Sequence, residues 1–205
     1  MITAQDVQKL RQLTGAGMMD AKKALTEASG DLEKATDILR KKGGKIAMSR
    51  GARATGQGLV ESYIHAGGQV GSMVEVLCET DFVARTDQFK ELVHDLAMQV
   101  TASSPLFLST EDVPAEVVER EKRVYQEQLA TEGKTGDMLV KIIEGKIQKY
   151  YQEICLLEQP FFKDDKLKVK DVVTEAIART GENIKIKRFC RFELAGPGVT
   201  CTVKE

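Results

Sequence analysis

Leu59-Val60-Glu61-Ser62-Tyr63-Ile64-His65-Ala66-Gly67-Gly68-Gln69-Val70-Gly71-Ser72-Met73-Val74-Glu75-Val76-Leu77-Cys78 is the stretch on which the fold turns. Apolar residues recur with a period of two on both sides of the Gly67-Gly68 pair, at Val60 and Ile64 before it and at Val70, Val74, Val76 and Cys78 after it. That period puts alternate side chains on one face of an extended strand, and the glycine pair supplies the positive φ that a tight reversal needs. The stretch predicts a β-hairpin turning through His65 to Gln69. Glu75 and Glu79 fall on the face opposite Val74 and Val76, so one sheet face is apolar.

Beyond the hairpin the period changes. Phe89, Leu92, Val93, Leu96, Ala97 and Val100 follow helical spacing, and a helix with such a stripe must cover the sheet. Ser103, Ser104 and Pro105 end it. Two charged helices follow, roughly Pro114 to Ala130 and Asp137 to Tyr151, joined through Thr131-Glu132-Gly133-Lys134 as a helical hairpin. A short helix over Val172 to Arg179 closes at Gly181. Ile184, Ile186, Cys190, Phe192 and Leu194 then alternate with Lys185, Lys187, Arg191 and Glu193, which predicts a third strand. The expected core is α+β: a three-stranded antiparallel sheet covered by helices, with a helical hairpin.

Upstream, residues 1–42 predict three short helices broken at Gly15, Gly17 and Gly30, each with one apolar stripe: Val7 and Leu10; Ala21, Ala24, Leu25 and Ala28; Leu32, Ala35, Ile38 and Leu39. Asp31 is placed to cap the third helix. From Arg40 to Arg53 there are six basic residues, no acidic ones and three glycines. This run reads as a solvated tether rather than a phosphate-backbone contact, because no aromatic is interleaved for stacking. The expected organisation is a bundle over 1–42, a basic linker over 43–57 and an α+β core over 58–205.

Composition narrows function. The chain has 205 residues and a net charge of −1, with 42% hydrophobic and 30% charged residues. No field drives it globally onto nucleic acid, and no apolar run reaches the ~20 residues of a membrane span. The start, with Gln5 and Asp6, lacks the pattern of a signal peptide. Cys78, Cys155, Cys190 and Cys201 show no metal-ligand spacing, which excludes a zinc site and suits a reducing, cytoplasmic setting. No phosphate loop is present: Gly133-Lys134-Thr135 has Gln128 where the first glycine belongs. His65, at the hairpin tip, and His94, beside a core stripe, sit in no nucleophile context. Neither a cofactor, a metal nor an enzyme activity is expected.

Thr80-Asp81-Phe82-Val83 stands apart, a large aromatic among polar residues between a strand and a helix. Phe82 lies seven residues before Phe89, which favours a core position over an exposed anchor. Thr80, Asp81 or Thr86 could equally be a helix cap. Periodicity leaves these alternatives open.

Two segments carry a family resemblance. Thr14-Gly15-Ala16-Gly17-Met18-Met19-Asp20-Ala21-Lys22-Lys23-Ala24-Leu25 and Cys78-Glu79-Thr80-Asp81-Phe82-Val83-Ala84-Arg85 resemble the two signatures of the elongation factor Ts family, with Ala21 where a cysteine is usual. Glu111 to Glu116, Glu158 to Phe161 and Gly181 to Ile184 extend the likeness. The resemblance implies a nucleotide-exchange factor for the GTPase EF-Tu, of the short type with a single core unit, homodimeric and forming a two-to-two complex. It implies that Thr80, Asp81, Phe82 and Val83 disturb the partner's Mg²⁺ and phosphate site, with Phe82 as a wedge. Arg11, Met18 and Met19 of a bundle like a ubiquitin-associated domain would dock on the nucleotide domain, and His65 and Met98 would touch the others. His94 and Asp95 depart from the pattern of the long members. Two other readings remain: a ubiquitin-associated-type binding module of another pathway, and RNA binding through Arg40 to Arg53, for which absence is expected.

Overall fold

The computed structural model describes residues 2–131, 136–196 and 198–202. In chain order the elements are α1 (Ala4–Thr14), α2 (Met18–Glu27), α3 (Leu32–Arg50), β1 (Gln57–Ile64), β2 (Val70–Cys78), α4 (Asp81–Ala84), α5 (Asp87–Ser103), α6 (Ala115–Thr131), α7 (Asp137–Ile154), β3 (Pro160–Phe161), β4 (Asp164–Lys168), α8 (Val169–Thr180), β5 (Lys185–Glu193) and β6 (Thr200–Thr202). The fold is α+β. The main antiparallel sheet runs β1-β2-β5-β6, so the three expected strands are present and β6 widens them, while β3 and β4 form a separate ribbon. Beyond Thr131, the joint of the helical hairpin and the Gly133-Lys134-Thr135 stretch lie outside the described residues.

By internal contacts the chain divides into two compact units. The first comprises Met1–Val60, Glu75–Val93 and Asp171–Ile186. Its three N-terminal helices close on Val7, Leu10, Ala21, Ala24, Leu25, Ala28 and Ala35, with Ile2, Leu32, Ile38 and Leu39 packed against them. Thr3 and Asp6 form a reciprocal capping box on α1, and Asp31 caps α3 by accepting from the amides of Glu33 and Lys34. The sequence pattern ends the third helix near Lys42, but α3 continues to Arg50 through Gly43 and Gly44. The reason is tertiary. Gly43 is buried, and a Cβ there would press on Cβ of Ala178 in α8 at 3.2 Å, so the glycine that weakens the helix locally permits a close helix crossing. Arg40 pairs with Glu175 of α8 at 3.6 Å. Burial raises the Glu175 carboxyl above its ordinary value, against the pull of Arg40 and Arg179. At Gly58 in β1 a Cβ would overlap the carbonyl oxygen of Val76 in β2, so the strands approach there only as glycine allows.

The second unit comprises Glu61–Val74, His94–Lys170 and Lys187–Glu205. The hairpin turn is as the glycines predict: φ is 93° at Gly67 and 68° at Gly68, and the amides of His65 and Gly68 donate to Val70 O and His65 O, each at 2.9 Å. Ser72 Oγ donates to Ala97 O at 2.8 Å, and Thr101 Oγ1 donates to Ser72 Oγ at 2.9 Å, which pairs β2 with α5 through satisfied buried hydroxyls. The hairpin of α6 and α7 closes on Leu129, Ile143 and Ile147, and at its other end on Val113, Ile154 and Cys155. Gln99, Ser103 and Gln159 form a buried amide and hydroxyl network that also receives the amide of Phe162, fixing the β3–β4 ribbon.

β5 departs from simple alternation. Ile186 and Phe189 are both buried though three positions apart, so the inward face changes phase between them. Phe189 therefore points in, whereas Phe192 and Leu194 are exposed. Cys190 pairs with Cys201 of β6 in a disulfide, flanked in register by Phe189↔Thr202 and Arg191↔Thr200. The spacing of the cysteines hinted at no such pairing, since it depends on a cross-strand register.

Candidate functional site

Thr80-Asp81-Phe82-Val83 forms the single helical turn α4 and its cap. Thr80 is extended, with φ −125° and ψ 156°, and its side chain accepts from Val83 N. The helix does not run on. The Arg85 and Thr86 amides bond back to Asp81 O and Val83 O, and Thr86 then starts α5 afresh, its Oγ1 accepting from Phe89 N at 3.2 Å. This interruption is why spacing misleads. Phe82 and Phe89 sit on different helices, so their seven-residue separation puts them on no common stripe: Phe89 is buried, while Phe82 is 83% exposed. Asp81 pairs with Arg85 at 3.0 Å on the surface.

The polar surroundings of the turn come from distant sequence. Glu182 accepts from Thr80 Oγ1 at 2.6 Å and from Thr80 N at 3.1 Å. Glu79 accepts from Asn183 N at 2.6 Å and from Arg53 Nη1 at 3.3 Å. Asn183 Nδ2 in turn donates to the carbonyls of Gly51 and Arg53. Cys78 donates to Thr80 O at 3.1 Å, and burial, with the Glu182 carboxylate nearby, pushes its thiol up. The N-terminal flank of the turn, Glu79 and Thr80, is therefore tied by charge-assisted hydrogen bonds, its C-terminal side closes through the backbone bonds of Arg85 and Thr86, and its aromatic stays in solvent. Sequence reasoning missed Glu79, Glu182 and Asn183 as a network. The local hints were the place of Glu79 beside the motif, the Gly181 helix stop, and the family likeness over Gly181 to Ile184 that takes in Glu182 and Asn183.

In the same unit, Met18 and Met19 open α2 and are 61% and 65% exposed, with exposed Leu13 nearby in sequence. Neither methionine is needed for the bundle core, which is complete without them. Arg11 is exposed and donates from Nε to Ala16 O at 3.2 Å, bracing the Gly15 turn. Thr14 Oγ1 bonds Leu10 O and receives the Ala16 amide. The chain thus enters α2 along a defined path, presenting flexible, polarizable side chains suited to an adaptable contact.

His65 and Met98 belong to the second unit. His65 is exposed at the hairpin tip, its Nδ1 3.3 Å from Tyr63 Oη. The Tyr63 ring also meets His94 edge-on at 5.9 Å between centroids, and His94 Nδ1 lies 3.2 Å from Glu61 Oε1. Met98 is half-buried on α5. Asp95 is buried and paired with Lys163 at 2.7 Å. The unit also carries an open apolar sheet face. Ile64, Met73, Phe192 and Leu194 are exposed around a shallow depression of ≈ 450 Å³. Among the described residues, no group of three or more His, Cys, Asp or Glu is placed to hold a metal ion, and no helix is long and apolar enough to cross a membrane.

The model of the family described as Elongation factor TS matches residues 3–196. A protein named Elongation factor Ts from Carboxydothermus hydrogenoformans is 53% identical over 194 residues, covering 95% of this chain and 89% of the relative. One of that name from Moorella thermoacetica is 54% identical, covering 97% and 98%, and one from Thermoanaerobacter sp. is 51% identical over the full length of both chains.

Proposed function

Since the chain belongs to the elongation factor Ts family, whose members serve translation elongation and protein biosynthesis, we propose that it is a non-catalytic guanine-nucleotide exchange factor for EF-Tu. The observation that carries this reading is an aromatic side chain, Phe82, 83% exposed on a turn that its neighbours hold by hydrogen bonds. An exposed phenylalanine on a turn whose cap is held is suited to entering a partner. In the proposed mechanism, Phe82, backed by Thr80, Asp81 and Val83, enters EF-Tu near its Mg²⁺ and phosphate site, and loss of magnesium coordination releases GDP so that GTP can bind. Arg11, Met18 and Met19 dock residues 1–42 on the nucleotide domain. Residues 43–57 connect that bundle to the core of 58–205, from which His65 and Met98 reach the partner's other domains.

Energetically this is a coupling between two ligands of EF-Tu: the factor by which the exchange factor weakens GDP binding is the factor by which GDP weakens the exchange factor. Burying one phenylalanine supplies about 1.5–3 kcal/mol, or one to two decades, so docking contacts must provide any remainder. The open face of Ile64, Met73, Phe192 and Leu194 supports a homodimer, and with it a two-to-two complex, because apolar area of this kind is stable when paired. Translation elongation places the setting in the cytoplasm, on that ground and not on the cysteines, two of which, Cys190 and Cys201, are joined in a disulfide. The test is the rate of fluorescent GDP release from EF-Tu with and without the protein. Acceleration is expected, and an unchanged rate would reject the proposal.

A further inference from the structure

Thr80, the cap of the turn that carries Phe82, is bound by a residue 102 positions away, Glu182. A lone helical turn such as α4 has little stability of its own, since its nucleus fixes several dihedrals for one hydrogen bond. Its cap must therefore be held from outside. Thr80 has one hydroxyl proton, and it goes to Glu182 Oε1, which leaves an Oγ1 lone pair for Val83 N at 3.4 Å. The other carboxylate oxygen takes Thr80 N. Both oxygens of Glu182 are committed to the residue that caps the Phe82 turn.

Glu182 is itself anchored. It follows Gly181, whose φ of 74° ends α8 and whose amide donates to Ile177 O at 2.8 Å. Its own amide donates to Thr180 Oγ1 at 3.3 Å, and the next residue, Asn183, is bound to Glu79 and to the carbonyls of Gly51 and Arg53. We infer that Glu182 is a positioning residue for nucleotide exchange, setting the direction of Phe82 through Thr80. This rests on the exchange-factor reading above. With the carboxylate removed, the conformer that presents Phe82 becomes one of several, and the release rate in the saturated complex falls with its population. Affinity, which depends on the wider docking surface, changes far less.

The experiment measures fluorescent GDP release from EF-Tu as a function of the concentration of the full chain, for wild type, Glu182→Ala, Phe82→Ala and the double variant. Glu182→Ala is expected to lower the saturated rate about five- to tenfold, and to leave the half-saturating concentration within about twofold. The double variant should be no slower than Phe82→Ala alone. Glu182→Gln should fall between, because its amide can accept from only one of the two Thr80 donors. A saturated rate equal to wild type would overturn the inference. So would a slowing of Phe82→Ala by Glu182→Ala as large as in wild type, since Glu182 would then act elsewhere. A wild-type chain that fails to accelerate release overturns the exchange reading and this inference together, whereas an active wild type with an insensitive Glu182→Ala overturns only this one. The Thr80 donors face water, so Glu182→Ala should fold. If its thermal melt nonetheless collapses, Thr80→Val replaces it, with the same lowered saturated rate expected and a wild-type rate overturning the inference.

Discussion

Two exposed apolar surfaces differ in how they are held. Phe82 is a single ring on a short turn whose cap is bound by Glu182 and whose flank is bound through Glu79. The face of Ile64, Met73, Phe192 and Leu194 is broad and rests on β1, β2, β5 and the turn that follows β5. A ring on a turn whose cap is held is organised for insertion, where geometry matters more than area. A wide sheet face is organised for association driven by buried area, where many replaceable side chains share the energy. The proposed function assigns the two surfaces separate tasks, the turn acting on a partner's site and the sheet face joining copies of the chain.

The predictions test that separation, beginning with the largest effect. Phe82→Ala should slow the accelerated release of GDP by about ten- to a hundredfold while leaving the oligomeric state unchanged, as fluorescence kinetics and light scattering would check. A proportional loss of dimer would break the distinction. Phe192, 56% exposed, is the converse case. Phe192→Asp should weaken self-association by at least about tenfold, because dimerisation would bury an unpaired charge. Sedimentation should then find a species near 22.6 kDa, the mass of one chain. An unchanged dimer would move the interface away from the sheet face.

A third test asks whether the sheet edge is tied down covalently. Cys190 and Cys201 are joined, and burial pushes the Cys155 thiol up to about 11 and raises that of Cys78. A thiol reagent at neutral pH should therefore label the folded, unreduced protein slowly. After mild reduction two fast thiols should appear, Cys190 and Cys201 by peptide mapping. Fast labelling before reduction would mean that the β5–β6 link is open in solution. The smallest effect belongs to Arg85→Ala. The Asp81–Arg85 pair is solvent-exposed on both sides, so its loss should change GDP release by less than about twofold. A larger change would show that Arg85 touches the partner itself.

Legibility followed the range of the interactions. The hairpin, the α5 stripe and the three bundle helices were readable because alternation, helical spacing and glycine breaks are local signals. The Asp31 cap was readable for the same reason, since a cap bonds within three residues, whereas at the motif the sequence leaves Thr80, Asp81 and Thr86 as alternatives, of which Thr80 caps α4 and Thr86 opens α5. The extension of α3 was not readable, because Gly43 looks like a breaker until Ala178 is seen against it. β6 escaped notice as a three-residue strand with no period to detect. The phase change in β5 is not legible either, because Lys187 and Arg188 are both exposed and nothing local marks that the strand turns over between them.

Sequence by itself determined the main helices and the three long strands, the α+β class, the family and the candidate motif, all of which follow from side-chain period, turn chemistry or an uninterrupted string of residues. Tertiary structure alone decided the orientation of Phe82. The helix break after Ala84 takes the ring off the α5 stripe, and the bonds from Glu182 and Glu79 hold the turn, joining segments about a hundred positions apart. No local pattern encodes such a pairing, because the partners share no periodicity and meet only when the chain has folded.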